Sequence, residues 1–524
     1  MPYTQSPFDI SQLQQLLDTA LMTVKVRPLE CSAGVLTTAL AGYTLKRLLA
    51  SSAYPNLDGP IQKSLIYGHL NDLVLPYNIG FHDALQDTYG SVSKVYGPFG
   101  VLVKEADSVF RHKQYFYDIN NATFGPGLIS SVGRRHKAQR KVGYMIEEKT
   151  HTDTLCLIDA ESSIHGKTHE DLLLTTVTEM FYMIADDMKR AMVKDMGGAH
   201  SKELDMLRWC SSSALELMGT AGIGHSFGIL HGVESEYSRV VKTTSLAQIA
   251  PFRSLFPFVY RMGPSWLLAK LAGWAPSTIV REMKHIVDVQ DRQAQEILLQ
   301  KKEALKDPSK SKDMHDIMSV LLKANLEARE EDRLPEDQLL GQINTLIFAG
   351  HETTSGALSR TLHLLACHTT VQDRLRAELQ EVPDTLSFDE LNALPYLDAL
   401  CREVLQLYPP APYTERIALK DWVVPLKYPV KGKDGNPINE IHVRKGTKIY
   451  LALKEANRSK ETWGDDADEF KPERWLQELP RLWLMQKDLE MTFSGGPRAC
   501  IGFKFSILEL SKSAFMPALR AIKN

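Results

Sequence analysis

The stretch Phe493-Ser494-Gly495-Gly496-Pro497-Arg498-Ala499-Cys500-Ile501-Gly502 decides how the rest of the chain is read, and it leads directly into the apolar series Phe503, Phe505, Ile507, Leu508 and Leu510. A cysteine between a glycine-bearing loop and the first turn of a helix is a thiol placed to lose its proton. Amides turned toward the sulfur and the positive end of the helix dipole stabilise the anion, which is the form that ligates a metal. Gly496 and Gly502 permit a tight turn and a close approach of backbone to a flat ligand. Arg498 adds a fixed, planar cation suited to carboxylates, and Phe493 an apolar wall that keeps water from the sulfur. The bland alternative, a buried structural cysteine ahead of a helix, leaves the two glycines and the arginine unexplained.

The 524 residues around this loop are 44% hydrophobic and 24% charged, a globular composition with material for a large core. A net charge of -3 gives no electrostatic reason to expect a nucleic-acid partner. Cys31, Cys156, Cys210, Cys367, Cys401 and Cys500 are scattered without C-x-x-C pairs, so neither a disulfide framework nor a zinc ribbon is indicated and a reducing compartment is expected. At the N-terminus, residues 1–15 are polar, and Lys25 and Arg27 interrupt the first apolar stretch, so there is no clean signal peptide. Residues 33–45 are apolar or small and are followed by Lys46 and Arg47; they fall short of the ~20 residues that span a bilayer unless both cations snorkel. An anchor or interfacial helix is expected there, with a plain amphipathic surface helix as the alternative.

Residues 54–60, rich in Pro, Asn, Asp and Gly, read as a stiff non-helical link, giving an N-terminal segment over 1–60 and one large domain over 61–524. Between 89 and 103, Gly90, Gly97 and Gly100 punctuate short β-type runs, a hairpin signature. Helical periodicity dominates 160–410, and residues 422–450 return to β-type runs with Gly and Pro turns, so the class is mainly α with small β-sheets. The Lys-rich stretch 300–315 reads as a solvated face or loop. The clearest helix starts at Pro335, with Glu336 and Asp337 in its first turn. Leu340, Ile343, Ile347, Gly350, Thr354, Ala357, Thr361 and Leu365 carry it for about nine turns at ~3.6 residues each.

At the middle of that helix stands Ala349-Gly350-His351-Glu352-Thr353-Thr354. A Thr hydroxyl in a helix back-bonds to a carbonyl one turn earlier or turns outward to a ligand, and a carboxyl beside it can relay protons. His351-Glu352 also begins an H-E-x-x-H zinc pattern, which fails because position 355 is Ser355.

The cysteine loop resembles the haem-binding loop F-x-x-G-x-R-x-C-x-G of cytochromes P450 at every defined position, and residues 349–354 resemble that family's A-G-x-(D/E)-T-T oxygen-activation motif. The resemblance runs from about residue 65 to the C-terminus, with its strongest motifs from Pro335 onward. It implies the cytochrome P450 fold, and haem b (iron protoporphyrin IX) held by Cys500, whose thiolate donates electron density as is general for this family. It also implies a site in which Glu352 and Thr353 guide protons to dioxygen while Gly350 leaves room for it. His136 and Arg140 look like the family's aromatic-x-x-x-Arg propionate clamp, and Arg416 resembles a further propionate-binding position. The implied activity is a monooxygenase acting on a small lipophilic substrate, fed by NADPH-cytochrome P450 reductase at the endoplasmic reticulum membrane and facing the cytosol. A haem-binding but catalytically impaired relative is the alternative.

Three departures stand out. The family's E-x-x-R helix reads Glu403-Val404-Leu405-Gln406, so Glu403 is expected to rely on Arg474 of Pro472-Glu473-Arg474-Trp475, and Gln406→Arg to improve haem loading. Residues 142–172 are polar and poorly periodic, as an inserted loop would be. Only 24 residues follow Cys500, enough for a helix over 507–522 without a terminal hairpin.

Overall fold

Pro335 does precede the longest helix, Glu336–Cys367, whose 32 residues carry Glu336 and Asp337 in the first turn, where carboxylates meet the positive end of the dipole. The structure is a computed structural model. It describes residues 54–61, 69, 72–73, 79–89, 91–96, 102–103, 110–112, 114–148, 169–234, 236–243, 256–309, 314, 316–330, 333–383, 386–387, 390–391, 393–477 and 491–510. The apolar stretch 33–45, most of the polar region 142–172 and, of the helix expected over 507–522, all that follows residue 510 lie outside the described residues.

In chain order the principal helices are α1 (Ile79–Tyr89), α2 (Gln114–Phe124), α3 (Gly133–Glu148), α4 (His169–Met196), α5 (Met206–Leu217), α6 (Glu236–Thr243) and α7 (Phe256–Tyr260). They continue with α8 (Ser265–Gly273), α9 (Thr278–Lys306), α10 (Ile317–Glu327), α11 (Glu336–Cys367), α12 (Thr369–Gln380), α13 (Pro395–Leu407), α14 (Leu453–Asn457) and α15 (Phe503–Leu508). The strands are β1 (Val95–Tyr96), β2 (Leu102–Val103), β3 (Phe110–Arg111), β4 (Tyr413–Ala418), β5 (Trp422–Lys431), β6 (Pro437–Val443) and β7 (Lys448–Ala452). The class is therefore mainly α with small antiparallel sheets, as expected.

The chain divides into two compact units, one of Met1–Lys104 with Trp422–Val443, the other of Glu105–Asp421 with Arg444–Asn524. In the first, β1 and β2 pair as the anticipated hairpin, and β5 pairs with β6. Residues 54–60 are non-helical as expected and dock on the turn of the second hairpin: Asn56 accepts from Lys433 N (2.8 Å) and Asp434 N (3.0 Å). Leu57 is buried beneath them.

In the second unit β4 lies between β3 and β7, and the core is helical. Buried apolar faces of α11, α12 and α13 meet through Leu358, Leu365, Leu375, Leu397 and Val404. Pro395 opens α13, and the Glu378 carboxylate takes the Tyr396 and Leu397 amides at 2.8 and 2.9 Å, satisfying donors that a helix start leaves unpaired. The 300–315 stretch differs from its reading. Helix α9 runs through it to Lys306, and Lys301 is buried in an ion pair with Asp316. Asp316 also caps α10 by accepting from Ser319 N at 3.0 Å, and Lys301 donates to Ser319 Oγ at 2.8 Å. The charge pattern was blind to this because one lysine of the run faces inward.

Breaking a buried pair by removing one partner strands the other charge, at a cost of about 3–5 kcal/mol. Lys301→Met is expected to lose stability of that order in urea unfolding, and the double variant Lys301→Met/Asp316→Leu to regain much of it.

Candidate functional site

The cysteine loop is built from two short turns, Met491–Phe493 and Gly496–Arg498, ahead of α15. Left-handed backbone falls on Ser494 (φ 57°) and Gly496 (φ 67°). Gly496 therefore serves the turn as read, whereas Gly502 has an ordinary φ of -94° and lends no such freedom. Cys500 is exposed, and its amide is committed to Phe493 O at 2.8 Å rather than to the sulfur. The Phe493 ring stands edge-on to Phe503 at 4.7 Å. Thr492 ties the loop entry to α13 by donating to Leu405 O (2.8 Å), and it accepts from Asn457 Nδ2 (3.0 Å).

Two arginines latch the far side of this loop reciprocally. Arg140 of α3 donates to Ala499 O at 2.7 Å, and Arg498 of the loop donates to Ser131 O at 2.9 Å. Arg498 also stands over the Tyr117 ring at 5.5 Å. His136 is buried beside this pair; burial, then Arg498 and Arg140, pull its pKa down to about 4. A second imidazole joins the group, one that sequence reasoning missed. His112, stacked on Phe116 at 4.0 Å, lies 2.9 Å from Arg416 Nη1, and burial, Arg416 and Arg498 lower its pKa to about 3. Its only signal in the sequence was a histidine two residues ahead of a helix carrying Tyr115, Phe116 and Tyr117. Arg416 follows Glu415, whose carboxylate is engaged by the Tyr115 hydroxyl. Arg140, His136, Arg498, His112 and Arg416 thus bring three guanidinium groups and two imidazoles together, and Arg498 lowers the pKa of both imidazoles.

Along the middle of α11, Ala349, Glu352, Thr353 and Gly356 form an exposed stripe flanked by buried Ile347, His351, Thr354 and Ala357, the spacing of a single helix face. Thr353 back-bonds to Ala349 O at 2.7 Å. Glu352 is reachable by solvent, yet partial desolvation raises its pKa. Gly350 has a different reason from the one expected: a Cβ there would lie 2.0 Å from Met218 Cε, so the missing side chain makes room for a methionine. Met218 opens a π-turn, Met218–Ile223, at the end of α5. His351 faces α5 as well, with Nε2 2.8 Å from Ser211 Oγ.

Glu403 is fully buried, and it does not rely on Arg474 alone. It accepts from Arg474 Nε (3.0 Å), Trp475 Nε1 (2.8 Å) and Lys471 N (2.7 Å). Desolvation dominates and still raises its pKa. Gln406 does not reach Glu403; its amide donates to Asn457 O at 2.9 Å. Arg402 points elsewhere as foreseen, to Asp398 at 2.6 Å. The carboxylate is satisfied without a cation at 406, so the structure gives no support to the expected gain from Gln406→Arg.

The sequence model described as Cytochrome P450 matches residues 157–515. Among curated proteins the chain is 37% identical to Cytochrome P450 monooxygenase 91 and 34% identical to Cytochrome P450 monooxygenase 81, both of Postia placenta; each alignment covers 89% of this chain and 87% or 86% of the relative. It is 36% identical to the ganoderic acid synthetase of Ganoderma lucidum over 88% of this chain and 87% of that one. The chain belongs to the cytochrome P450 family. It is a cytochrome P450 monooxygenase, and membership implies a haem-thiolate cofactor.

The residues fit that cofactor. An exposed cysteine, a group of arginines and imidazoles and an exposed stripe with an acid and an alcohol are what a metal-bearing macrocycle with acidic side groups requires.

His112 and His136 stay neutral in the fold, whereas an unfolded chain protonates them below about pH 6.5. Stability is therefore full above that value and is lost as pH falls toward about 4 for His136 and about 3 for His112. Thermal melts of the haem-free P450 from pH 7 to pH 5 are expected to show this loss, and His112→Asn to reduce it.

Proposed function

We propose that this P450 binds haem b through Cys500 and oxidises a small lipophilic substrate with dioxygen, using electrons from NADPH-cytochrome P450 reductase. The observation that carries the reading is the pairing of an exposed, loop-borne cysteine with the cluster of Arg140, Arg498, Arg416, His112 and His136. When bound, haem supplies the iron at which dioxygen is activated for insertion into a C–H bond. Cys500 would hold that iron as a thiolate, with Phe493 walling the loop from water. Arg498 and Arg416 would take the haem carboxylates by charge-assisted hydrogen bonds, Arg140 fixing the loop backbone beside them.

Glu352 and Thr353 are the proton-handling pair. The raised pKa of Glu352 lets it carry a proton nearer neutrality than an ordinary carboxyl, and the Thr353 hydroxyl, one rotamer away from its bond to Ala349 O, can donate outward. Small Ala349 and Gly356 beside them leave an uncharged surface for an apolar substrate. The Ganoderma relative is named for making ganoderic acid; for this chain the substrate is proposed only by class. Satisfaction of Glu403 without an arginine at 406 supports the active reading over an impaired one.

Attachment to the endoplasmic reticulum membrane, facing the cytosol, is part of the same proposal. No described helix is long and apolar enough to cross a membrane. Support comes from α7, α8 and their borders, where Phe258, Met262, Trp266, Leu271 and Trp274 are all exposed, Trp274 to 84%. Tryptophans at both ends of a short apolar helix, with Lys270 over Trp266 at 5.7 Å, suit the interfacial zone of a bilayer.

The reduced protein treated with carbon monoxide is expected to absorb where thiolate-ligated haem does, and Cys500→His to move the band to the histidine-ligated position. A colourless product after reconstitution, or a pigment unchanged by that substitution, would overturn the reading. In vesicle flotation, Trp266→Ser with Leu271→Ser and Trp274→Ser is expected to weaken lipid binding without altering the spectrum.

A further inference from the structure

Two consecutive residues of the motif in α11 are met by one segment, the end of α5 and the π-turn Met218–Ile223 that continues it. His351 Nε2 lies 2.8 Å from Ser211 Oγ of α5, and Gly350 faces Met218. The three atoms nearest to a Cβ built at position 350 are Cε, Sδ and Cγ of Met218. The three nearest to a Cβ built on Gly222 are the same atoms. Met218, 4% exposed, is therefore seated between two glycines, one in its own turn and one in α11.

The turn that presents Met218 is itself enclosed. Ala221 and Ile223 are fully buried. Gly224 ends the turn with φ 61°, and a Cβ there would run into Lys301 Nζ and the Asp316 carboxylate, the buried ion pair that joins α9 to the cap of α10. Gly219 is equally confined: a Cβ would stand 2.6 Å from His225 O and 2.8 Å from the Phe227 ring, and its carbonyl accepts from His225 N at 2.9 Å. A π-turn is rare and is found frequently at functional sites. Here an ion pair and close backbone packing brace it, so the place of Met218 is set by its surroundings and not by its own flexible side chain.

We propose that Met218 is a positioning residue for Glu352 and Thr353: its thioether fills the bay that Gly350 leaves in α11 and holds the motif against the π-turn. Glycine supplies the space but not the stiffness, since in a helix interior it weakens the backbone relative to alanine. A helix with a glycine just before its acid and alcohol needs support there, and Met218, with Ser211 beside it on His351, supplies that support. An unbranched, polarisable thioether suits an irregular gap between two backbones. Removing it leaves a cavity behind the motif, and a packed interior relaxes only partly around a cavity. The turn of α11 that carries Glu352 and Thr353 then loses its fixed placement. This positioning role rests on the proposed haem site and proton-handling pair, whereas the packing of Met218 on Gly350 does not.

A double-variant cycle on the full chain, read as the urea midpoint, tests the packing. Alanine favours a helix over glycine, so Gly350→Ala stabilises wherever the new Cβ has room. Gly350→Ala is expected to lower the midpoint when Met218 is present and to raise it in the Met218→Ala background; a shift of the same sign in both backgrounds overturns the contact. The positioning role is read on haem-loaded protein from the infrared stretch of carbon monoxide on the reduced iron, a band sensitive to the groups around it. Met218→Ala is expected to shift and broaden that band, and Met218→Leu, close in volume, to leave it at the wild-type position. A Met218→Ala band superimposable on wild type, with the sign reversal present, overturns the positioning role alone. The visible spectrum of the same samples reads the haem proposal: without the thiolate-haem band that proposal falls and the positioning role with it, and the packing is judged by the cycle.

Discussion

The reciprocal latch between Arg140 and Arg498 is the constraint on which the site depends. Each guanidinium leaves its own segment to bond a carbonyl of the other, Ala499 in one direction and Ser131 in the other, so neither segment can move without stretching both bonds. Ser131 in turn donates to Gly127 O at 2.7 Å and to Gln139 Oε1 at 2.6 Å. Gly127 lies flat on the long helix: a Cβ there would stand 2.2 Å from Gly341 O, and one on Gly341 would stand 2.4 Å from Gly127 N. Backbone thus rests on backbone, and the cysteine loop is referenced to α11 through a short chain of contacts without a flexible side chain of its own at the final step. An arginine bond of this kind is worth more than a neutral one because its donor is charged.

The same arrangement explains why so much positive charge is tolerated. Lys301 and Glu403 show the ordinary solution for a buried ion in this fold, a close partner of opposite charge with further hydrogen bonds to finish the shell. Around Arg498 and Arg416 stand carbonyls, a hydroxyl, an aromatic ring and two neutral imidazoles. Burial and the neighbouring arginines hold the two histidines neutral.

Much of this was legible in the sequence. The loop from Phe493 to Gly502 and the acid-alcohol motif of α11 are local patterns whose residue types state their chemistry, and the mainly helical class followed from periodicity. What escaped were relations across the chain. His112 and Arg416 are 304 positions apart, and no local pattern announces that a strand and a helix start will bring them together. Gly350 was assigned to oxygen because its motif suggested so, whereas the occupant of its missing Cβ comes from a π-turn far upstream. Gln406 was judged by the arginine it replaces; its actual partner, Asn457 O, lies in α14 and could be found only in space.

Misreadings of this type have one physical origin. A motif fixes which groups a segment offers, while burial and neighbours fix which of them are used and in what protonation state. Glu352, Glu403 and Glu509 show the range. All three carboxyls have raised pKa values from desolvation, yet one is exposed on its helix, one is saturated by an arginine, an indole and an amide, and one meets a buried hydroxyl. The first is exposed, whereas Glu403 would lose three bonds by moving and Glu509 is buried. The functional distinction among chemically identical side chains is thus set by access and partnership, which the fold supplies through the packing of α11, α13 and α15.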